Sequence, residues 1–192
     1  MGKGRVEAFS DGVIAIIITI MVLELRVPQG TQLTDLRPLL PVFAGYVLSF
    51  IYIGIYWNNH HHMMHAVRSI TGSVLWANLH LLFWLSMVPL ATAWMGQHPL
   101  TTTPVALYGV VLLMNALAYT ILNTLLVRHE GPESPLAKAT QQDIKGKISL
   151  AIYVVGVVAA FFVPAASLGL YVAVACIWFA PDRRVERALG MP

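Results

Sequence analysis

Long apolar runs separated by short polar segments dominate the sequence. A transmembrane α-helix needs about 20 mostly apolar residues to cross a hydrocarbon core of roughly 30 Å. Four runs have this length, at residues 6–25, 39–57, 70–95 and 104–127. A fifth run, residues 148–180, is too long for one helix, and Pro164 and Ser167 interrupt it near its middle. We therefore expect two short spans joined by a tight turn there, and six transmembrane helices in all.

The composition supports a membrane protein. Hydrophobic residues make up 57% of the 192 residues and charged residues 11%, and the mean hydropathy is +0.70. Soluble domains contain about a quarter charged residues. The 12 basic residues are scattered rather than gathered in a stripe, so no nucleic-acid partner is expected. No soluble domain or repeat is visible, and residues 1–192 are predicted to form a single transmembrane domain.

The distribution of basic residues predicts the orientation of the chain. With six spans, the termini and the loops after the second and fourth spans share one side of the membrane. That side carries ten basic residues: Lys3, Arg5, Arg68, Arg128, Lys138, Lys145, Lys147, Arg183, Arg184 and Arg187. The other side carries only Arg26 and Arg37. Because basic loops stay in the cytoplasm, both termini are predicted to be cytoplasmic.

The first run is predicted to be a retained helix that begins at or before Val6. No small-residue cleavage site follows Leu25, and Asp11 interrupts the apolar stretch that a signal peptide would need. A helix over residues 12–25 would rise only about 21 Å, too little to cross the membrane. Asp11 therefore lies inside the helix, where a carboxylate normally has a partner. Arg5 is about 240° away around the same helix, so the partners should come from other helices.

Two stripes run along this first helix. The bulky stripe consists of Val13, Ile16, Ile20 and Leu23, and the small stripe of Ala8, Gly12, Ala15 and Thr19. Small residues let helices approach closely in lipid, and bulky apolar residues pack between helices or line a pore. Periodicity alone favours ordinary packing for both stripes, and it leaves a pore-lining role as the alternative.

The start of this helix resembles the transmembrane protein 175 family of potassium channels. The resemblance rests on Arg5-x-x-x-Phe9-Ser10-Asp11 followed by an Ile-rich helix with Thr19. It extends into the third span through the motifs Trp76-x-Asn78-Leu79 and Leu85-Ser86-x-Val88-Pro89. With the six-span count and the cytoplasmic termini, it covers essentially the whole chain.

The resemblance implies an all-α membrane protein whose first helix lines a central pore. Prokaryotic members of the family carry one six-helix unit per chain and assemble as tetramers in the cell membrane. By this resemblance Ile16, Ile20 and Leu23 form hydrophobic rings at the pore axis, and Thr19 offers a nearby hydroxyl. Periodicity adds Val13 as a further candidate layer.

The expected function is a potassium channel that is gated by these apolar rings, because a narrow apolar neck holds no stable water column. The carbonyl filter sequence Thr-Val-Gly-Tyr-Gly is absent, so moderate selectivity is expected. Potassium is the permeant ion, and no cofactor is implied. The alternative is a proton-coupled secondary transporter using Asp11 and the histidines. An intramembrane enzyme is disfavoured, since no nucleophile–base pair is evident.

The motif residues Arg5, Phe9, Ser10 and Asp11 are predicted to position the first helix rather than to contact ions. Their candidate hydrogen-bond partners on other helices are His60, His61, Trp76 and Asn78.

A group of histidines at the end of the second span has two interpretations. His60, His61, His62 and His65 resemble a metal site, and His61 and His65 have the i, i+4 spacing of helical metal ligands. Zinc sites usually need a third defined ligand, and neither a nearby cysteine nor a Glu-x-x-His pattern supplies one. Histidines with structural hydrogen bonds are therefore favoured, and no metal is predicted.

Overall fold

The computed structural model describes residues 2–140 and 143–179, and this part of the chain is helical without a β-strand. It contains eight α-helices, and a 3₁₀ segment at Leu33–Leu39 precedes the second. The helices are α1 (Lys3–Leu23), α2 (Leu40–His65), α3 (Gly72–Ser86), α4 (Val88–Gln97), α5 (Thr102–Glu130), α6 (Pro135–Thr140), α7 (Ile144–Ala159) and α8 (Pro164–Phe179).

Four stretches are long and apolar enough to cross a membrane. They are α1, the 3₁₀ segment with α2, α3 with α4, and α5. The helices α7 and α8 are apolar but have only 16 residues each. The predicted all-α membrane architecture is confirmed at this level. The six-span count remains a prediction, and Arg183, Arg184 and Arg187 of the predicted cytoplasmic C-terminus lie outside the described residues.

The structure gives the ends of the first two helices, which can be compared with the predicted spans. Helix α1 begins at Lys3, which confirms the prediction from its length that it starts at or before Val6. Helix α2 continues to His65, about two turns beyond residue 57, where the predicted span ends. The apolar run stops at that point, but the helix continues because its polar last turns contact the neighbouring helices.

The third predicted span, residues 70–95, is broken at Met87 rather than continuous. Pro89 occupies the second position of α4, where its missing amide hydrogen and its ring prevent a regular helix from passing through. The carbonyl of Trp84 then accepts a hydrogen bond from the Met87 amide at 3.2 Å and one from Asn115 Nδ2 of α5 at 3.3 Å. A side chain from a neighbouring helix thus satisfies part of the freed backbone.

The last apolar run forms two helices, as predicted. Residues 160–163 make the turn, and Pro164 opens α8, where a proline is tolerated. Ser167, which was also predicted to break the run, is instead buried within α8. Between α5, which ends at Glu130 before Gly131 adopts a φ of 92°, and α7, the described residues form a turn and the short α6.

Helix α5 lies at the centre of the bundle, in contact with α3, α4, α6, α7 and α8. Helix α1 lies at one side and packs against α2, α3 and α4. Within residues 2–140 and 143–179, no element packs against the opposite side of α1.

Candidate pore helix and its polar contacts

One face of α1 is buried against the rest of the chain. It consists of Val6, Ser10, Ile14, Ile17 and Met21, each at most 3% exposed. Their 4-4-3-4 spacing is that of one side of a helix. Sequence analysis missed this stripe because Ser10 interrupts its apolar character, although the spacing alone is a sufficient signal.

The opposite face of α1 is exposed and contains both predicted stripes. Ile16 is 58% exposed and Leu23 is 81% exposed, and Ile20 lies on the same side. The small stripe, Ala8, Gly12, Ala15 and Thr19, is exposed as well. Val13 is half-buried at the edge of this face, so it stands apart from the three larger apolar residues. Among the described residues, packing within one chain uses Val13 in part and leaves Ile16, Ile20, Leu23 and the small stripe exposed, although periodicity favoured ordinary packing for both stripes.

Thr19 lies on the exposed face beside the apolar residues. Its hydroxyl donates to the carbonyl of Ile16 at 2.9 Å. Because the hydroxyl hydrogen points back to the helix backbone, the oxygen lone pairs remain free to accept from water or to coordinate a cation.

A buried hydrogen-bond chain holds the other face of α1. Ser10 Oγ donates to the carbonyl of Val6 at 2.8 Å and accepts from Asn78 Nδ2 at 2.9 Å. The carbonyl oxygen of the Asn78 side chain lies 2.8 Å from Nε2 of His60. Ser10, His60 and Asn78 are each at most 2% exposed, and they join α1, α2 and α3. Such a chain fixes the rotation of α1, since turning it would leave buried polar groups without partners.

Asp11 obtains its partner from a different residue than expected. Its Oδ1 accepts a hydrogen bond of 3.0 Å from the indole nitrogen of Trp57 on α2. An indole N–H is a neutral donor, so the carboxylate is held without a buried ion pair.

This bond belongs to a polar seam between the antiparallel α1 and α2. Lys3 Nζ donates to the backbone carbonyl of His65 at 3.2 Å. Glu7 Oε1 lies 3.4 Å from Nδ1 of His61 and 3.5 Å from Nε2 of His65. The α1 partners, Lys3, Glu7 and Asp11, are spaced by four residues and so share one side of the helix.

The structure brings some of the predicted motif partners together and not others. Asn78 contacts Ser10 and His60 contacts Asn78, whereas His61 contacts Glu7. Trp76 is 76% exposed and makes no hydrogen bond among the described residues. It lies two positions before Asn78, about 200° around α3, and cannot share that side chain's face. Arg5 and Phe9 are exposed, and the described part of the chain provides no ion pair for Arg5.

Sequence analysis missed Glu7 and Trp57 as functional candidates. A usable signal exists, because Trp57, His61 and His65 repeat every four residues on α2, as do their partners on α1. Polar side chains four residues apart share one side of a helix, so two such stripes indicate that the helices contact along them.

The fold and this geometry define a multi-pass helical membrane protein in which one face of the first helix is left uncovered. Residues 5–89 match the family described as the endosomal/lysosomal potassium channel TMEM175. A potassium channel of Chryseobacterium sp. is 54% identical over 189 residues, which cover 98% of each chain.

Two further comparisons extend this match. The chain superposes with a TM-score of 0.80 and 29% identity on the crystal structure of a lysosomal potassium-selective channel TMEM175 homolog from Chamaesiphon minutus, covering 92% of this chain and 96% of that one. The endosomal/lysosomal proton channel TMEM175 of Homo sapiens is 34% identical over 103 residues, 47% of this chain and 20% of that protein. The chain belongs to the TMEM175 family, a family of ion channels rather than enzymes, as the resemblance predicted.

Proposed function

We propose that four copies of this chain form a potassium-conducting channel in the cell membrane of a prokaryote, with α1 of each copy at the central axis. The observation that carries the proposal is the uncovered apolar face of α1, opposite a face fixed by packing and hydrogen bonds. Small residues beside bulky ones on the exposed face of a spanning helix allow a second helix to approach it closely in lipid. The bacterial relative named a potassium channel, which matches over 98% of both chains, supports the same assignment.

The gate consists of rings of Ile16, Ile20 and Leu23, each ring contributed by four copies of one residue. These side chains lie at i, i+4 and i+7 on the exposed face of α1, so they stack along the axis over about two turns. A neck lined by such side chains excludes water and therefore ions. A modest rotation or outward movement of α1 widens it.

Selectivity arises from a small number of polar groups rather than from a carbonyl filter. The hydroxyl oxygen of Thr19 is exposed between the rings and keeps its lone pairs free. Four such oxygens replace part of the hydration shell of a potassium ion. Because they are few and the neck is otherwise apolar, potassium is preferred over sodium only moderately.

Two of the four motif residues, Ser10 and Asp11, hold α1 in place and do not contact the ion. Ser10 and Asp11 point to Asn78 and Trp57, away from the exposed face that carries the rings. With both termini cytoplasmic and six spans, these contacts lie at the cytoplasmic half of α1. They act as the support against which the gate moves.

Ion flux from liposomes tests the proposal. Purified protein reconstituted into potassium-loaded vesicles should release potassium down its gradient without a cosubstrate, and faster than sodium from matched vesicles. A lumenal pH dye measures proton movement in the same vesicles, which matters because the human relative is named a proton channel. Native mass spectrometry should give four times the 21.1 kDa chain mass.

Several outcomes count against the proposal. Potassium flux that requires a proton gradient and saturates supports the secondary transporter instead. Proton flux without potassium flux contradicts the assigned ion, and a mass of one or two chains contradicts the tetramer.

A further inference from the structure

Glu7, His61 and His65 form a cluster that the proposed pore does not use. Each of the three offers one ligand atom, and these atoms lie within 4.8 Å of one another. Glu7 comes from α1 and the two histidines from successive turns of α2. The third ligand that the sequence lacked near the histidines is therefore supplied by another helix.

The spacing of the ligand atoms suits a transition metal. A tetrahedral zinc ion with bonds of about 2.0–2.1 Å keeps its ligands about 3.3 Å apart. The Glu7 oxygen lies 3.4 Å from the His61 nitrogen and 3.5 Å from the His65 nitrogen. Two imidazoles and one carboxylate are also a known zinc ligand set, and they leave a fourth position for water.

The surroundings favour a built site over a chance contact. The ring of Trp57 stacks on that of His61, with the ring centroids 6.0 Å apart and an interplanar angle of 23°. The His65 side chain is 51% exposed, so an ion and its water have access from the aqueous side. Lys3, which also lies in the α1–α2 seam, donates to the carbonyl of His65, and no ion pair between Lys3 and Glu7 is found among the described residues.

We propose that Glu7, His61 and His65 bind one divalent transition-metal ion per chain, with Zn²⁺ the best match, and that the ion fastens the start of α1 to the end of α2. The consequence for conduction rests on the proposed function: opening needs α1 to move, so the bound ion holds the pore closed. A site that joins two helices restrains their relative movement only when both contribute ligands, and here both do.

Metal binding to the intact channel is the first test. Untagged protein in detergent is stripped of metal and titrated with Zn²⁺ by calorimetry, and with Co²⁺ by visible absorption, which reports the coordination geometry. Wild-type protein should bind about one ion per chain. His65→Ala and Glu7→Gln each remove a ligand and should weaken binding by at least the roughly 10–100-fold that outer-shell changes already cost.

The matched control is His98→Ala, which removes an exposed histidine that lies outside the cluster. It should bind Zn²⁺ as the wild type does. Elution as an intact oligomer verifies that each variant is folded, and Glu7→Gln keeps the size of the side chain. Absence of binding by the wild type, or equal weakening in His98→Ala and His65→Ala, overturns the site.

Potassium flux tests the fastening of α1. Zn²⁺ should slow flux through the wild type and leave His65→Ala unaffected. Equal inhibition of both overturns this role. Flux in the absence of metal reports on the proposed channel function by itself, and binding does not depend on conduction, so failure of one proposal is distinguishable from failure of the other.

Discussion

Ser10, His60 and Asn78 are three polar side chains buried where α1 meets α2 and α3. Hydrogen bonds of 2.8–2.9 Å connect them, and none is more than 2% exposed. A buried network of this kind is stabilising only when each member keeps its partner. Asn78 is the central member, because its amide nitrogen donates to Ser10 and its amide oxygen meets His60.

Replacing Asn78 with alanine should destabilise the protein by about 1–3 kcal/mol, since Ser10 and His60 would both lose a partner in a dry environment. The measurement is the midpoint of thermal unfolding in detergent, followed by tryptophan fluorescence. Asn58→Ala, at an exposed position of α2, is the control and should leave the midpoint nearly unchanged. Equal midpoints for the two variants would refute the importance of the network.

Trp57→Phe keeps an aromatic ring but removes the indole N–H that donates to Asp11. We expect a loss of about 1.5–3 kcal/mol, because the acceptor is charged and partly buried. Trp76→Phe is the matched control, since Trp76 makes no hydrogen bond within the described residues. The same unfolding assay applies, and an equal or larger effect of Trp76→Phe would contradict the assignment of Trp57 as the partner of Asp11.

The residue-level contacts were only partly predictable from the sequence. The need of Asp11 for a partner on another helix follows from the cost of a carboxylate in a membrane. Which side chain supplies the partner depends on helix rotation, and the only sequence signal for Trp57 is its four-residue repeat with His61 and His65, which was not used. The role of Glu7 was missed for the same reason.

At the scale of elements, α5, α7 and α8 meet around the ring of Tyr171. Gly109 of α5 and Gly156 of α7 both lie against this ring, and a Cβ atom at Gly156 would come within 2.5 Å of its Cε1. Tyr171 is fully buried. The absence of side chains at these two positions allows the helices to approach closely enough to enclose the tyrosine.

Gly156→Ala should destabilise the bundle by about 1–3 kcal/mol, because the added methyl group forces the buried ring or the helix to move. Gly169→Ala is a close control, since Gly169 is also helical and a Cβ there meets nothing within 4 Å. The control should be neutral or stabilising by about 0.5–1 kcal/mol. The measurement is the apparent melting temperature, which should be lower for Gly156→Ala than for Gly169→Ala. Equal values would count against the close packing.

Helix positions were more predictable than helix breaks and ends. Apolar length located the four long spans, and Pro164 correctly divided the last run. Pro89 was not taken as a helix break, because the run over residues 70–95, unlike the last run, is not too long for one helix. The break at Met87 was therefore missed. Hydropathy does not indicate that α2 continues past residue 57, although His60, Met63 and Met64 of its last turns are buried against neighbours.

At the scale of the whole molecule, the central question is whether the exposed face of α1 packs against another helix or lines a pore. Periodicity located the stripe of Ile16, Ile20 and Leu23, but it could not tell a packed face from a pore. In the part of the chain that the structure describes, no other element covers these three side chains. We propose that the same face of three further copies of the chain covers it in the membrane.

The most direct measurement of that proposal is potassium flux through Ile16→Asn and Ile20→Asn. If these residues form the gate, a polar side chain in the ring lets water persist in the neck, and flux should rise or selectivity over sodium should fall. The control is Val155→Asn on α7, where the native side chain is 57% exposed against 58% for Ile16. Potassium flux or its selectivity over sodium should change in the variants at positions 16 and 20 and should not change in the variant at position 155. Unchanged flux and selectivity in both gate variants, with the protein intact in the liposomes, would contradict it.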